Sequence, residues 1–252
     1  MASFVGILIS LLLLAAVIYQ IRILRRVNEK LVKLMAPERD TRRIAKDLER
    51  STRENYRQSE FYIQLIALLK LDAPIPSTRS WAASPDVLLT LLEHARRSNP
   101  ATVLDLGSGM STLVLAKSAP GAKIISIDNS QEFADKTRKV LANHQITNVE
   151  VRVAPLVPHK SGVDWYELSQ LTDVSNIDLL FIDGPPGSKN PMARHPAIAE
   201  CISKLSPKAI IVIDDAAREG EKSMAIDFAA ALPTHTLEFL NHEKGTAVLL
   251  PR

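Results

Sequence analysis

The second half of this chain is built from short apolar runs cut by polar turns. Thr102–Leu106, Lys123–Asp128, Asp178–Asp183 and Ala209–Asp214 are rich in Val, Ile and Leu, the pattern of parallel strands buried on both faces. Val149–Val153 alternates as Val-Glu-Val-Arg-Val and reads as a further strand, broken by Ala154-Pro155. Helical periodicity fills Ser111–Ser118 and Glu221–Ala231, the latter stopped by Pro233. Upstream, Ser84 as N-cap, Pro85 in the first helical position and Asp86 in the first turn open a helix that runs to about Arg97. Trp81, just before it, reads as an anchor folding this segment over the sheet, with closure of a pocket as its second candidate role. Thr236–Leu240 and Thr246–Leu250 flank the turn Asn241–Gly245 and predict a hairpin. The alternation of strand and helix predicts an α/β domain with a mostly parallel sheet and a terminal antiparallel hairpin.

The first residues follow another pattern. Phe4–Tyr19 is almost wholly apolar or small, close to the roughly 20 residues that span a hydrocarbon core. It carries no N-terminal Lys or Arg and no clear cleavage site, unlike a secretory signal. We therefore expect a transmembrane anchor over residues 1–24, with Arg22, Arg25, Arg26, Lys30 and Lys33 placing the rest on the cytoplasmic side of the cell membrane as a single-pass protein. Residues 25–72 read as a charged helical arm. Arg22 to Arg57 holds 12 basic and 6 acidic residues, a local +6 in a chain of net +3. The basic excess thus belongs to the arm, where it suits anionic lipid headgroups; no aromatic–basic platform accompanies it, so no nucleic-acid partner is expected. Pro37 predicts two helices in place of one, and the apolar stretch Phe61–Leu71 is available to pack on the domain or to pair in a homodimer. Ala73–Ser77 is the expected linker to one domain over 73–252. The single cysteine, Cys201, excludes an intramolecular disulfide and reads as a packing residue.

Candidate chemistry collects at the strand ends. Val103-Leu-Asp-Leu-Gly-Ser-Gly-Met-Ser-Thr112 is a strand, a glycine turn and a helix start, and Asp128 closes the next strand 23 residues after Asp105. A carboxylate there is placed to accept the hydroxyls of a ribose. A dinucleotide turn would place a third glycine where Thr112 stands, and a Tyr-x-x-x-Lys pair, as in short oxidoreductases, does not occur. Asp128, Asp183 and Asp214 all sit at strand ends, and ligands of open α/β sheets bind beyond that edge.

Asp105-Leu-Gly107-Ser-Gly109 resembles motif I of the class I S-adenosylmethionine-dependent methyltransferases, and Ile125-Ser-Ile-Asp128 resembles their motif II. The resemblance, over roughly residues 78–252, implies a Rossmann-like fold with a seven-stranded sheet and S-adenosylmethionine as cofactor. It implies cofactor contacts from Asp105, Gly107, Ser108, Gly109, Ser111, Asp128, Asn129, Ala154 and Asp183. Ile182-Asp183-Gly184-Pro185-Pro186 and Val212-Ile213-Asp214-Asp215 resemble the catechol-type O-methyltransferases and a related bacterial group. By position, Asp183, Asp214 and Asp215 would then hold Mg²⁺ or another divalent cation. The lysine base of the catechol-type enzymes corresponds here to Pro186, which leaves Lys189, His195 or Asp183 itself as the catalytic candidates. The expectation is O-methylation of a small-molecule, saccharide or lipid-linked acceptor at the membrane, with a non-catalytic scaffold of the same fold as the alternative.

Overall fold

In a computed structural model of the chain, residues 2–187 and 190–252 are described, except for the side chains of 2–11 and 33–39. Two compact units divide the chain, Met1–Asn55 and Tyr56–Arg252. Helix α1 spans Ala2–Leu69 and includes Pro37, so the break expected there is not present. A helix interior tolerates one lost hydrogen bond at a cost of about 3 kcal/mol. The first unit is helical, and its exposed pairs Arg43–Asp40 and Arg53–Glu49 contribute little to stability. Among the described residues, no helix is long and apolar enough to cross a membrane. The expected transmembrane anchor is thus not found among the described residues; its first part, residues 4–11, lies outside the described side chains.

In the second unit, α2 (Pro85–Ser98) precedes β1 (Thr102–Leu106), α3 (Met110–Ser118), β2 (Lys123–Asp128), α4 (Gln131–Asn143) and β3 (Val149–Val153). A two-stranded ribbon follows, β4 (Leu156–Pro158) and β5 (Asp164–Tyr166), which the sequence did not suggest. Then come β6 (Ile177–Ile182), α5 (Pro196–Cys201), β7 (Leu205–Asp214), α6 (Glu219–Ala231), β8 (His235–Leu240) and β9 (Thr246–Pro251). The main sheet has seven strands in the order β3-β2-β1-β6-β7-β9-β8. Its first five are parallel, and β9 enters antiparallel between β7 and β8.

The apolar runs are continuous because both faces of the sheet are covered. Val103, Leu179, Phe181 and Val212 pack with Leu65 and Leu69 of α1 and with α2, α3 and α4 on one side. Leu104, Leu106, Leu180, Ile182 and Ile213 pack with Cys201 of α5, Phe228 of α6 and the ribbon on the other. Strand order reverses between β1 and β6, which opens a crevice at their carboxyl ends. The wall above it is tied down by Asp86, a buried carboxylate at the start of α2. Its Oδ2 accepts from Gln58 Nε2 (2.7 Å) and from the Glu243 backbone N–H (2.8 Å). Its Oδ1 accepts from Ser84 Oγ (2.6 Å) and the Val87 N–H (2.9 Å). Ser84 therefore occupies the N-cap position without capping the helix with its side chain; its hydroxyl serves Asp86.

Candidate active site

Strand pairing continues one residue past the strands, and this aligns the site. Gly107 N–H donates to Ile127 O (2.9 Å), Asp183 N–H to Leu106 O (2.8 Å) and Ala154 N–H to Asp128 O (2.7 Å). Gly107, Asp128 and Asp183 thus share one row at the sheet's carboxyl edge, with Val153 opposite Asp128 and Ala154 one residue beyond. Gly107 has φ +113°, and a Cβ on it would stand 3.1 Å from Asp183 C and Gly184 N. Only glycine allows β1 to turn this close to β6.

A cavity of about 340 Å³ opens above this row. Gly107, Ser108, Gly109, Ser111, Asp128, Asn129 and Asp183 line it, together with Met110, Phe133, Thr137, Val140, Tyr166, Pro186 and Trp81. Trp81 is 82% exposed, so it stands at the rim and does not anchor the segment. Ser108 Oγ donates to Asp128 Oδ2 (2.6 Å), and the Ser130 N–H donates to Asp128 Oδ1 (2.8 Å). The two bonds fix both oxygens of the carboxylate at the cavity wall. Ala154 lies one residue beyond the row and does not line the cavity.

Asp105 does not reach the cavity either. It is fully buried beneath the glycine turn, accepting from Thr112 Oγ1 (2.6 Å), Ser126 Oγ (2.8 Å) and Ser111 Oγ (3.3 Å). Burial raises its pKa to about 7 despite these hydroxyls, and the nearby Asp128 charge adds to the rise. Asp105 braces the turn from below. Thr112 explains the missing third glycine: its hydroxyl also accepts from the Gly109 N–H (2.9 Å), so a threonine completes the turn.

On the other side of the crevice, a buried arginine sits among the acids. Arg194 Nη2 donates to Asp183 Oδ1 (3.2 Å), Asp215 Oδ2 (3.0 Å) and Asp183 O (2.6 Å). Its Nη1 donates to Asp214 O (3.3 Å) and its Nε to Pro185 O (3.2 Å). Burial alone would lower the Arg194 pKa, but Asp183, Asp215, Glu221 and Asp214 together raise it. Asp183 is pushed up to about 7 by burial, which outweighs Arg194 beside it. Asp214 is pushed well above the carboxylate range by burial and by the neighbouring Asp183 and Asp215.

The divalent cation expected on Asp183, Asp214 and Asp215 finds no prepared site here. Among the described residues no three acidic, histidine or cysteine groups converge to hold a metal, and a guanidinium bridges two of the supposed ligands. His195 Nε2 lies 3.5 Å from Asp227 Oδ2, and His195 does not line the cavity. Lys189 falls outside the described residues.

Residues 25–155 match the family of protein-L-isoaspartate(D-aspartate) O-methyltransferases, and residues 104–216 match a methyltransferase domain family. The chain belongs to the class I S-adenosylmethionine-dependent methyltransferases. The isoaspartyl match stops at Pro155, short of the tips of β6 and β7, so it covers the glycine turn and Asp128 but not the acid cluster. No curated protein matches the chain. Its fold is shared by solved structures of low identity. One is an SAH-bound methyltransferase of Podospora anserina, 16% identical with TM-score 0.57, over 81% of this chain and 96% of that one. Another is an O-methyltransferase of Bacillus cereus in complex with SAH, 19% identical with TM-score 0.55, over 77% and 90%. A third is the O-methyltransferase TomG of Streptomyces achromogenes in complex with SAM, 17% identical with TM-score 0.51, over 75% and 94%.

Tyr166 and Arg194 are among the residues that escaped sequence reasoning. Tyr166 sits on the unforeseen ribbon, buried, with its hydroxyl so near Gly184 that a Cβ there would overlap it. Arg194 follows a proline-rich loop and carries no motif of its own. The available signal was indirect: a buried acid cluster needs a counter-charge.

Proposed function

We propose that this methyltransferase methylates a hydroxyl oxygen of a small-molecule, saccharide or lipid-linked acceptor, with Asp183 taking the hydroxyl proton. The observation that carries the proposal is the Asp183 carboxyl itself. It lines the cavity beside the Gly107 turn, and its raised pKa of about 7 suits a general base near neutral pH.

The cavity residues fit the cofactor, with a carboxylate held at the β2 tip for two ribose hydroxyls and the apolar side chains of Met110, Phe133 and Val140 beside it. S-adenosylmethionine, when bound, supplies a sulfonium-activated methyl group. Asp128 and Asn129 would hold its ribose side, and Gly107, Ser108, Gly109 and Ser111 would line the turn against it. Asp183 would accept the acceptor hydroxyl's proton as the methyl group passes to the oxygen, with SAH as the leaving group. Holding the acceptor oxygen beside this base provides the orientation the displacement needs. No residue of the chain needs to form a covalent intermediate. The basic arm supports work at an anionic membrane surface, where a lipid-linked acceptor would be concentrated.

The test is methyl-labelled S-adenosylmethionine incubated with the full chain and a panel of phenols, saccharides and lipid-linked saccharides. Alkali-stable label in the acceptor, as an ether, is the expected result. Label released by alkali as methanol marks a carboxyl ester and overturns the hydroxyl assignment. Absence of transfer while the cofactor binds assigns the fold to a non-catalytic scaffold.

A further inference from the structure

The acid cluster at the tips of β6 and β7 already contains its cation. Asp183, Asp214, Asp215 and Glu221 are brought together there, and all but Asp183 are almost fully buried. Arg194, itself 4% exposed, lies among them, with Nε 3.7 Å from Glu221 Oε1 in addition to its bonds to Asp183 and Asp215. Arg218 Nη1 reaches Asp215 Oδ2 at 2.8 Å, and Lys244 Nζ stands 4.0 Å from Asp215 Oδ1. Three acid oxygens, Asp214 Oδ2, Asp215 Oδ1 and Glu221 Oε1, are buried without a hydrogen bond.

A divalent cation would need several of these oxygens at roughly 2.0–2.6 Å from one centre. The Arg194 Nη2 group takes that bridging place, between Asp183 and Asp215 at hydrogen-bond distance from both. It is held there by the main chain, since Pro185 O, Asp183 O and Asp214 O accept three further bonds. A guanidinium fixed by backbone carbonyls cannot swing aside without unpairing the loop that carries it.

We infer that Arg194 is a built-in substitute for a divalent cation, which makes this methyltransferase metal-independent. Arg194 is a positioning residue: it touches no substrate but holds the Asp183 carboxylate at the cavity wall. One consequence concerns the acceptor and rests on the proposed hydroxyl methylation. With no metal to chelate, a vicinal diol has no advantage, and an acceptor presenting a single hydroxyl suffices.

Mn²⁺ titration followed by electron paramagnetic resonance tests the inference without any methyl transfer, so its failure is separable from failure of the hydroxyl assignment. The full-length protein is expected to bind no stoichiometric Mn²⁺, and chelator leaves any transfer activity unchanged. Arg194→Met exposes the acids and is expected to gain stoichiometric Mn²⁺, which a purely structural arginine would not produce. Stoichiometric Mn²⁺ on the unaltered protein, lost in Asp215→Asn, overturns the inference. A folded Arg194→Met that gains no Mn²⁺ overturns it as well. Should Arg194→Met melt below assay temperature, added Mn²⁺ is expected to raise its Tm, and an unchanged Tm counts against the inference.

Discussion

Replacing Asp128 with alanine isolates the cofactor side of the site. Its carboxylate is 7% exposed at the cavity wall, and each oxygen already accepts one protein bond, from Ser108 Oγ at 2.6 Å and from the Ser130 N–H at 2.8 Å. Each oxygen keeps a further lone pair, so the two together can accept both hydroxyls of a ribose. A hydrogen bond to a charged group contributes about 1.5–3 kcal/mol. Losing two such bonds costs about 3–6 kcal/mol, or roughly two to four orders of magnitude in Kd. Asp128→Asn keeps one acceptor oxygen and is expected to fall about halfway in free energy. Calorimetric titration of SAH into the full-length protein reads both constants, with thermal melts confirming the fold. Ser108 lines the cavity and Ser130 is only partly buried, so the donors left behind are within reach of solvent and Tm should move little. A Kd within about threefold of the unaltered protein for Asp128→Ala would refute the assignment, because it corresponds to less than one such bond.

Three other expectations concern the neighbouring elements. Asp86→Ala removes the bonds that its carboxylate accepts from the Gln58 amide and the Glu243 N–H, at about 1–3 kcal/mol each, and a Tm fall of roughly 5–15 °C in a thermal melt is expected. The Asp86 pKa is lowered because its hydrogen bonds outweigh the burial that would raise it. Its stabilisation is therefore present above the unfolded carboxylate pKa and fades as pH falls below it; the acid limb of Tm against pH should flatten in the variant. Asp183, with its pKa raised to about 7, must be ionised to accept a proton. The turnover rate should rise with pH up to about that value and level off above, and Asp183→Asn should lose both this limb and a factor of about 10²–10⁴ in rate. Gly184→Ala drives a Cβ into the Tyr166 hydroxyl, an overpacking cost of about 1–3 kcal/mol. Tyr166→Phe in the same chain should restore part of it, which a double-mutant cycle on Tm measures.

Most of the sheet was legible because burial on both faces writes itself into sequence as unbroken Val, Ile and Leu. Val103–Leu106 and Asp178–Ile182 needed nothing else. The glycine turn and Asp128 were legible because the backbone itself demands them: φ +113° at Gly107 and the end of a strand beside it. What the sequence concealed depends on side chains meeting across loops. Arg194 is one arginine among many until the segment from Pro185 folds back over β7. The acids it neutralises, read without it, look like ligands for a metal. Trp81 looked like a core anchor because of its size, yet nothing local decides whether a tryptophan at a segment's start turns inward. Pro37 looked like a helix end because the local cost of proline is certain while the context that outweighs it is not.

Two hydroxyls beside the glycine turn become intelligible together once their partners are visible. Ser126 is a hydroxyl inside an otherwise apolar strand, and it pairs in register with Asp105. Thr112 stands in for a glycine and bonds the same carboxyl. These two hydroxyls let a fully buried acid remain under the turn. Asp183, in the neighbouring strand of the same sheet, meets the same desolvation with a guanidinium in place of hydroxyls. The difference has a chemical consequence. Asp105, enclosed on every side, can only brace the turn. Asp183 keeps 16% of its side chain open and lines the cavity, where a proton can be delivered to it. Two acids of similar raised pKa thus differ in access, and only Asp183 meets the geometric condition that the proposed base requires.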